Sequence, residues 1–480
     1  MSFRNISDPT DLPRIKQVIA DAPQPERLVP LGIKQMAISW NASLQIAQIA
    51  ADLLGEAGVE PLLAKVLLLT DDKEILKGQF NFKNKVHEQL SKYFTVTWKV
   101  LTAETVVKVD EKTLDEATDA LAGFDLLVGL GGGTISDIAK VASDRQGGIP
   151  LISVQTAASV DGYTDNVSVV LKNGAKRTVD SRWPEAVVAD LEVIQSAPLE
   201  LNLAGFGEAI SLFTAPADWQ LSHLLSADQS FHETPRDLLL AFAGNPAVWG
   251  NGLADGKLEA VEQLTKVLAI RGIGTGIAGT TACLSGVEHL ISHMLDMRAV
   301  ASHEPVGLHG AQVGVASLVG AMAWRYLAEV LNEVSAPTAP NREQVLADVR
   351  AAFAEIDPTG KLTAECVSDV TKKLDTWERV LPQASELIAS WQANPALLNQ
   401  LAPNAPLLAQ ALTNAGAPKG IDDLEPWITD EIWSWAVGHC QLMRNRFTVV
   451  DLLYFLGRWQ PADVARVIDM ANAAVAGAKK

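Results

Sequence analysis

Acidic and histidine side chains near the middle of the chain have the types and the spacing of a catalytic metal site. Glu288 and His289 are adjacent, and His293 follows four residues after His289, so the two histidines share one face of a predicted helix. His309 lies beyond a loop-like stretch. A carboxylate with two imidazoles can hold a divalent ion and leave one position open for substrate. Taken alone, the histidine pair is also compatible with ordinary core or surface residues; the pattern is not HExxH, which excludes that type of metalloprotease.

A run of three glycines, Gly131, Gly132 and Gly133, separates an apolar stretch from an amphipathic one in FDLLVGLGGGTISDIAKVA. The pattern predicts a buried strand, a tight turn and a helix. Glycines let the backbone approach a phosphate, and a helix N-terminus offers free N–H groups. We therefore predict a pyrophosphate site here, with a ligand-free turn as the alternative. The near-match Gly129-x-Gly131-x-x-Thr134 to the dinucleotide fingerprint is weak by itself.

An acidic residue for the adenosine ribose is not where an ordinary Rossmann unit has it. That residue normally ends the strand after the glycine helix, but the next strand-like run, IPLISVQTA, ends without one. Asp71 and Asp72 instead end the upstream run AKVLLLTDD. Either can bind the ribose in a different strand order, or cap the following helix. If Asp71 binds it, its charge disfavours a 2′-phosphate, so the sequence predicts NAD over NADP.

The pattern of apolar residues differs between the two parts of the chain. Residues 60 to 200 alternate β-like apolar runs with amphipathic stretches, which predicts βα units and a parallel sheet. After about Leu199, alanine, leucine, glutamate and tryptophan recur at helical spacing. We expect an α/β dinucleotide-binding domain over residues 1–197 and an all-helical metal- and substrate-binding domain over residues 198–480. The stretch beyond residue 340 could pack that domain, form an oligomer interface or shape the site.

Composition excludes several classes of protein. The 480 residues are 48% hydrophobic and 20% charged, as in globular chains. A net charge of -18 argues against general binding to nucleic acid or anionic membranes. Three widely spaced cysteines exclude a disulfide framework. The N-terminus lacks the apolar core of a signal peptide, and no uninterrupted apolar run reaches membrane length, so we expect a cytoplasmic protein without a membrane span.

Six motifs in order resemble those of the glycerol-1-phosphate dehydrogenase family, which is related to glycerol dehydrogenase, the iron-containing alcohol dehydrogenases and 3-dehydroquinate synthase. They are TDD, GGGTISDIAK, QTAASVDG, AGFGEAIS, SGVEHLISH and HGAQVGVAS. The resemblance covers roughly residues 25 to 320, with a weaker match at MRNRFTVVDLL. It implies a Rossmann-like α/β N-terminal domain followed by an all-α C-terminal domain, the dehydroquinate synthase-like fold.

The resemblance also assigns site residues. It makes Glu208, His289 and His309 the ligands of one divalent ion, which we expect to be Zn²⁺, although related dehydrogenases usually carry aspartate at the first position. His293 is then a substrate or proton-relay contact, and it could exchange roles with His289. Asp161 faces the substrate hydroxyls. Together, the turn and the resemblance predict the following cofactor contacts: Asp71, Gly131, Gly132, Gly133, Thr134, Asp137, Thr156, Ser159 and Lys176.

Some of these positions keep a second interpretation. Gln155 replaces the proline that the resembling proteins carry before the threonine. Lys176 is either a basic group near the cofactor ribose or a solvated loop lysine. Lys140 follows the glycine helix and could do no more than stabilise it.

The function that the resemblance implies is a metal-dependent, NAD(P)-linked oxidoreductase. The leading reaction is reversible reduction of dihydroxyacetone phosphate to sn-glycerol 1-phosphate, with the carbonyl polarised by the metal, hydride from the nicotinamide, and a proton passed through His293 or water. No compact basic cluster marks a phosphate site; Arg177, Arg444 and Arg446 are the candidates. Without such a site, oxidation of glycerol or another polyol is the alternative. A dehydroquinate synthase-like cyclase and a non-catalytic ligand-binding protein are less favoured alternatives. We expect a phosphorylated triose as the small-molecule partner, no nucleic acid, and a homo-oligomer.

Overall fold

The computed structural model describes residues 6, 8–104, 106–172 and 175–479, without the side chains of residues 175 and 176. The strands are β1 Gln35–Ser39, β2 Lys65–Asp71, β3 Leu76–Lys77, β4 Phe80–Asn81, β5 Thr95–Leu101, β6 Leu126–Gly131, β7 Leu151–Gln155, β8 Val167–Lys172, β9 Ala175–Asp180 and β10 Ala186–Asp190. The first helices are α1 Leu12–Ala20, α2 Ile46–Glu56, α3 Phe82–Leu90, α4 Glu111–Leu121, α5 Gly133–Arg145 and α6 Leu191–Gln195.

The remaining elements are helical. They are α7 Leu199–Ile210, α8 Ala215–Leu224, α9 Glu233–Ala243, α10 Pro246–Trp249, α11 Leu258–Ala278, α12 Val287–Ser302, α13 His309–Val330, α14 Arg342–Phe353, α15 Lys361–Ala393, α16 Pro395–Leu401, α17 Ala405–Ala415, α18 Asp430–His439, α19 Val449–Phe455 and α20 Pro461–Gly477. The predicted loss of strands after about Leu199 is confirmed for the part of the chain that the structure describes.

The chain folds into two compact units. The first unit comprises residues 1–205, 237–244 and 249–279, and the second comprises residues 206–236, 245–248 and 280–480. The first unit includes α11, because this helix packs against α6 and β1. The predicted boundary at Ala197–Pro198 falls inside the first unit, and the assignment of residues 1–197 and 198–480 to two folding domains stays a prediction.

The first unit is built on a six-stranded parallel sheet with the order β1-β10-β7-β6-β2-β5. Successive residues of the inner strands point to opposite faces and both faces are covered, as an all-parallel sheet requires. One apolar core lies on the face that carries α2 and α3, and the other on the face that carries α4 and α5. Sheet residues of the first core include Val66, Leu68, Leu126 and Val128, and those of the second include Leu67, Leu69 and Leu127. The predicted Rossmann-like α/β fold is confirmed.

The order in which successive strands are added to the sheet reverses between β6 and β2. From β2 the chain proceeds through α3 to β5 on one side, whereas from β6 it proceeds through α5 to β7 on the other side. Ligands of open α/β sheets bind beyond the carboxyl ends of the strands at such a switch point. Leu69 pairs with Gly129, and two residues later β2 ends at Asp71 and β6 ends at Gly131. The acidic end of β2 and the glycine turn are therefore neighbours at this edge.

The second unit is organised around α13. This helix packs against α12 and, further along the chain, against α17, α19 and α20. With its following turn, His309–Glu333, it is long and apolar enough to cross a membrane by length and composition alone, with a mean hydropathy of 1.2. Of its most apolar 18-residue stretch, 83% is buried inside the protein, as in a core helix. Three of the C-terminal helices thus pack the unit, one of the roles that the sequence left open for the stretch beyond residue 340.

Candidate functional site

A carboxylate and two imidazoles meet in the second unit. Glu208 lies on α7, His289 on α12 and His309 at the start of α13, and one potential ligand atom from each lies within 4.8 Å of the others. His289 Nε2 is 3.3 Å from Glu208 Oε1, and His309 Nε2 is 3.8 Å from Glu208 Oε2. Glu208 and His289 are buried, and His309 is half-buried. One carboxylate and two imidazole nitrogens suit a divalent transition metal.

Glycines allow the two helices that carry Glu208 and His309 to approach. A Cβ atom at Gly207 would lie 2.2 Å from the carbonyl oxygen of Gly310, and one at Gly314 would lie 2.7 Å from the Cα atom of Gly207. The backbones of α7 and α13 are therefore in direct contact. This contact explains why glycine stands directly before Glu208 in AGFGEAIS and at Gly314 in HGAQVGVAS.

Glu288 fixes the orientation of the His289 ring. Its Oε1 lies 2.9 Å from His289 Nδ1 and accepts from the Gly286 amide at 2.6 Å, while its Oε2 accepts from Thr214 Oγ1 at 3.0 Å. A carboxylate accepts hydrogen bonds only, so His289 Nδ1 donates and Nε2 faces Glu208. Burial opposes the charged imidazole, but Glu208 and Glu288 together raise the pKa of His289 to about 9. The two carboxylates attract positive charge to this ring.

Ser292 performs the same task for the second ring. Its Oγ lies 2.9 Å from His309 Nδ1 and 2.7 Å from Gln312 Oε1, and both Ser292 and Gln312 are fully buried. Each imidazole is thus held through Nδ1 with Nε2 directed to Glu208, an arrangement typical of histidines that bind metals. Sequence reasoning missed Ser292 and Gln312; their one sequence signal is a polar residue on an otherwise apolar helix face.

His293 lies beside these groups. Its ring stacks on that of His309, with the centroids 5.6 Å apart, and it is half-buried. The structure therefore groups His289, and not His293, with Glu208 and His309.

Arg446, one of the candidate phosphate ligands, contacts protein groups in the second unit. This half-buried arginine donates to the Ser285 carbonyl and, at 2.9 Å, to Thr281 Oγ1. Burial lowers the pKa of Arg446 below its usual range. The residue supports the segment that leads into α12. Arg444 is also in the second unit, but Arg177 lies on β9 in the first, so the three predicted candidates do not share a unit.

In the first unit, the glycine turn has one position with open space above it. Cβ atoms at Gly131 and Gly133 would lie 2.6 Å from Ile135 Cγ1 and 2.8 Å from Val160 Cγ2, whereas one at Gly132 would meet nothing within 4 Å. Gly132 is the N-cap of α5 and provides no side-chain cap. The first amides of that helix, which include that of Thr134, precede any intrahelical hydrogen bond. Space and free N–H groups coincide there, as a phosphate requires.

Asp71 lies at the level of this turn and is paired with Lys83. Lys83 Nζ donates to Asp71 Oδ1 at 2.6 Å, to the Asp71 carbonyl at 2.7 Å and to the Lys73 carbonyl. Asp72 is exposed. The N-cap of α3 is Asn81, whose side chain accepts from Asn84, so neither aspartate caps that helix. Sequence reasoning missed Lys83, which has no periodic or motif signal.

Asp161 contacts a buried arginine. Arg271 Nη2 lies 3.2 Å from Asp161 Oδ2, and the arginine is fully buried on α11. A Cβ atom at Gly272 would lie 2.5 Å from the Asp161 carbonyl oxygen, so the backbone of α11 contacts the segment that carries Asp161 directly. Arg271 was not predicted, although a single charge in the apolar run VLAIRGIGTGIA was a usable signal.

Asp137, a predicted cofactor contact, is engaged by protein groups. Its Oδ1 lies 3.2 Å from Lys140 Nζ, and its Oδ2 accepts from the Val169 amide at 3.2 Å. Lys140 is fully buried and also donates to Asp165 at 2.6 Å. Burial raises the pKa of Asp165 to about 7, although Lys140 opposes the shift. The sequence suggestion that Lys140 supports the glycine helix agrees with these contacts.

The remaining predicted cofactor contacts lie in two places. Thr156 is buried and Ser159 is half-buried in the loop after β7. A Cβ atom at Gly205 would lie 1.7 Å from the Ala158 carbonyl oxygen, so the end of α7 that belongs to the first unit packs against this loop. Lys176 lies on β9, but its side chain is outside the described residues.

The sequence is similar to known proteins over much of its length. The model of the family described as iron-containing alcohol dehydrogenase matches residues 45–198. The chain is 36% identical over 244 residues to glycerol-1-phosphate dehydrogenase (NAD(P)+) of Thermococcus kodakarensis, covering 50% of this chain and 66% of the relative. It is 34% identical over 283 residues to the protein of the same name from Thermococcus sibiricus, covering 58% of this chain and 78% of the relative.

The fold is similar to solved structures at low sequence identity. An iron-containing alcohol dehydrogenase from Corynebacterium glutamicum superposes with a TM-score of 0.54 at 17% identity, covering 92% of this chain and 94% of that chain.

Proposed function

The chain belongs to the glycerol-1-phosphate dehydrogenase family, and on this premise we propose that it catalyses the reversible reduction of dihydroxyacetone phosphate to sn-glycerol 1-phosphate with NADH or NADPH. The relatives' names supply the reaction, and the two candidate sites supply groups that suit it. The observation that carries the proposal is the meeting of Glu208, His289 and His309 with both imidazoles held through Nδ1.

The proposal assigns Zn²⁺ to these three residues. Their donor atoms, one carboxylate oxygen and two imidazole nitrogens, are those of catalytic zinc sites, and the same set also accepts Fe²⁺. A bound Zn²⁺ supplies Lewis acidity that polarises a carbonyl oxygen. Glu208 contributes the single negative charge among the three ligands, and Glu288 adds a second negative charge next to His289.

The first unit holds the cofactor in this proposal. The glycine turn binds the pyrophosphate through the amides at the start of α5, and Asp71 accepts from the adenosine ribose. Thr156 and Ser159 contribute further contacts. The nicotinamide, when bound, carries the hydride, and the protein groups orient it.

Two residues act on the substrate. Asp161 accepts hydrogen bonds from the substrate hydroxyl groups, and Arg271 orients its carboxylate at 3.2 Å. His293 transfers the proton through its imidazole, because it is half-buried beside His309 and an imidazole can both donate and accept a proton. Asp161→Asn and His293→Asn are both expected to reduce kcat more than they weaken cofactor binding.

The experiment is a spectrophotometric assay at 340 nm with purified full-length chain. We expect oxidation of NADH or NADPH with dihydroxyacetone phosphate, loss of activity after chelation, and recovery with Zn²⁺. A second enzyme specific for the opposite enantiomer, sn-glycerol 3-phosphate, should not consume the product. Oxidation of glycerol without activity on the phosphorylated triose would replace the proposal with a polyol dehydrogenase. Recovery with Fe²⁺ alone would change the metal and leave the reaction intact.

A cytoplasmic location and a homo-oligomer complete the proposal. Both NAD(P)H and triose phosphates are cytoplasmic metabolites, which supports the location. Cell fractionation and size-exclusion chromatography with light scattering test these two statements.

A further inference from the structure

The pairing of Asp71 with Lys83 bears on which cofactor the chain accepts. We propose that Lys83 sets the cofactor preference by neutralising Asp71, so that the chain binds NADPH about as well as NADH. This inference rests on the proposed function only in assuming that a nicotinamide dinucleotide binds at the glycine turn. It differs from the sequence prediction of NAD over NADP, which considered the charge of Asp71 alone.

Asp71 is placed to meet the ribose. It ends β2, the strand beside β6, and the glycine turn ends β6 at the same level of the sheet. An ordinary dinucleotide site has the same relation, because the acidic residue ends the strand that neighbours the glycine strand. Burial raises the pKa of Tyr163, whose hydroxyl donates to the Gly131 carbonyl at 3.4 Å, and the charge of Asp71 adds to that shift. The carboxylate therefore lies near the glycine turn in space as well as in topology.

Lys83 is built into the fold as a fixed counter-ion. Its side chain is only 4% exposed, and Nζ directs its hydrogen bonds to Asp71 Oδ1, the Asp71 carbonyl and the Lys73 carbonyl. An ammonium group has three donors, so these bonds use all of them. The ion pair is therefore far less mobile than a surface salt bridge.

The second carboxylate oxygen is left for the ligand. Within the described residues, the hydrogen bonds of the Asp71 carboxylate fall on Oδ1, which also accepts from the Lys73 amide at 3.3 Å. Asp71 is 20% exposed, so Oδ2 can accept from a ribose hydroxyl. The neighbouring charges of Asp72, Lys73 and Glu74 are exposed and screened by solvent.

The ion pair changes the charge that the 2′-position of the adenosine ribose meets. An unpaired aspartate at this place repels the 2′-phosphate of NADPH, whereas an aspartate with an ammonium at 2.6 Å contributes almost no net charge. The paired carboxylate still accepts a hydrogen bond from the 2′-hydroxyl of NADH. Both cofactors are therefore accepted.

The test measures direct binding of NADH and NADPH by quenching of tryptophan fluorescence, so it does not require turnover. Wild-type dissociation constants for the two cofactors should agree within about tenfold. Lys83→Met should shift their ratio toward NADH by about tenfold, because it exposes the carboxylate charge. Asp71→Asn should shift the ratio toward NADPH, and the double variant should return it close to the wild-type ratio.

Lys83→Arg is the matched control, because it keeps the positive charge and should keep the ratio. Circular dichroism and the thermal midpoint show whether each variant folds; if Lys83→Met does not, the Asp71→Asn shift and the wild-type ratio still decide the matter. A wild-type preference for NADH above a hundredfold, or an unchanged ratio in folded Lys83→Met, overturns the role of Lys83. Failure of the wild-type chain to bind either cofactor overturns the proposed function itself.

Discussion

Glu288 is the residue through which the candidate metal site is aligned. It contacts His289 through Nδ1, and it is fully buried, so its charge is not screened by water. Removing such a partner typically weakens metal binding by about 10- to 100-fold. We expect Glu288→Gln, which keeps the shape but loses the charge, to weaken Zn²⁺ binding by about tenfold, measured by competition with a chromogenic chelator.

Glu304→Gln is the control for that measurement, because Glu304 is exposed and the change removes the same charge. Its zinc affinity should equal that of the wild type. Equal affinity in Glu288→Gln and Glu304→Gln would show that the negative charge of Glu288 beside His289 does not support a metal site.

Asp218 gives the stability of the second unit a pH dependence. It is buried and accepts from the Val287 amide, the Val449 amide and Trp324 Nε1, each at 3.1 Å. Burial, reinforced by the charge of Glu288, raises the pKa of Asp218 to about 7. In the unfolded chain the pKa of an aspartate is about 4.

The folded chain therefore holds this proton more tightly than the unfolded chain does. Its contribution to stability is complete below about pH 4 and is lost as the pH rises toward 7. We expect Asp218→Asn to reduce the decline in unfolding free energy between pH 5 and 7 by about 1 kcal/mol per pH unit, measured by urea unfolding at constant ionic strength. Parallel pH profiles for the two proteins would contradict the assignment.

At the scale of an element, the glycines of the turn have different surroundings: Gly131 and Gly133 are closely packed, whereas Gly132 has open space for a ligand. Gly132 has an ordinary φ of -76° and open space at its Cβ position, so alanine fits there. We expect Gly132→Ala to keep the thermal midpoint and to weaken NADH binding by about tenfold, because the methyl group occupies the space above the α5 amides. Gly55→Ala, also open at Cβ but on α2, is the control and should bind NADH normally. Unchanged binding in Gly132→Ala would place the pyrophosphate elsewhere.

At the contact between α7 and α13, by contrast, we expect a glycine-to-alanine change to lower stability. A Cβ atom at Gly207 has the Gly310 carbonyl oxygen at 2.2 Å and must push the two helices apart. Gly207→Ala should therefore lower the unfolding midpoint and reduce bound zinc, measured by mass spectrometry of metal content. Gly438→Ala on α18 meets its nearest neighbour at 3.8 Å and should do neither. Normal zinc content in Gly207→Ala would separate the packing of these helices from the metal site.

For the whole molecule, the alternation of apolar and amphipathic runs was enough to predict the parallel sheet and the helical remainder. Hydrophobic patterns report burial, and the strands from β2 to β10 that form this sheet are apolar enough to be visible. β1, with the sequence QMAIS, lies outside the predicted range because it is short and only half-buried. The strand order is a property of long-range pairing, which no local pattern contains.

The candidate site was predictable where it coincides with motifs. Glu208, His289 and His309 stand in such motifs and come together in the structure. Their partners Ser292 and Gln312, together with Lys83 and Arg271, became visible only in three dimensions. Lys83 is 12 residues from Asp71 across a turn, and Arg271 meets Asp161 from a separate helix. Side-chain pairs of this kind depend on packing, so the sequence prediction of NAD over NADP considered the charge of Asp71 without that of Lys83, and it stays a prediction.

The burial of α13 has a consequence for the synthesis of the chain. The helices α17, α19 and α20 that pack against it are all translated after it. At typical elongation rates, roughly ten to thirty seconds pass between the synthesis of α13 and that of α20. During that interval the nascent chain presents a long apolar segment without its later cover. We therefore expect a chaperone that recognises apolar segments to bind this chain before its release from the ribosome.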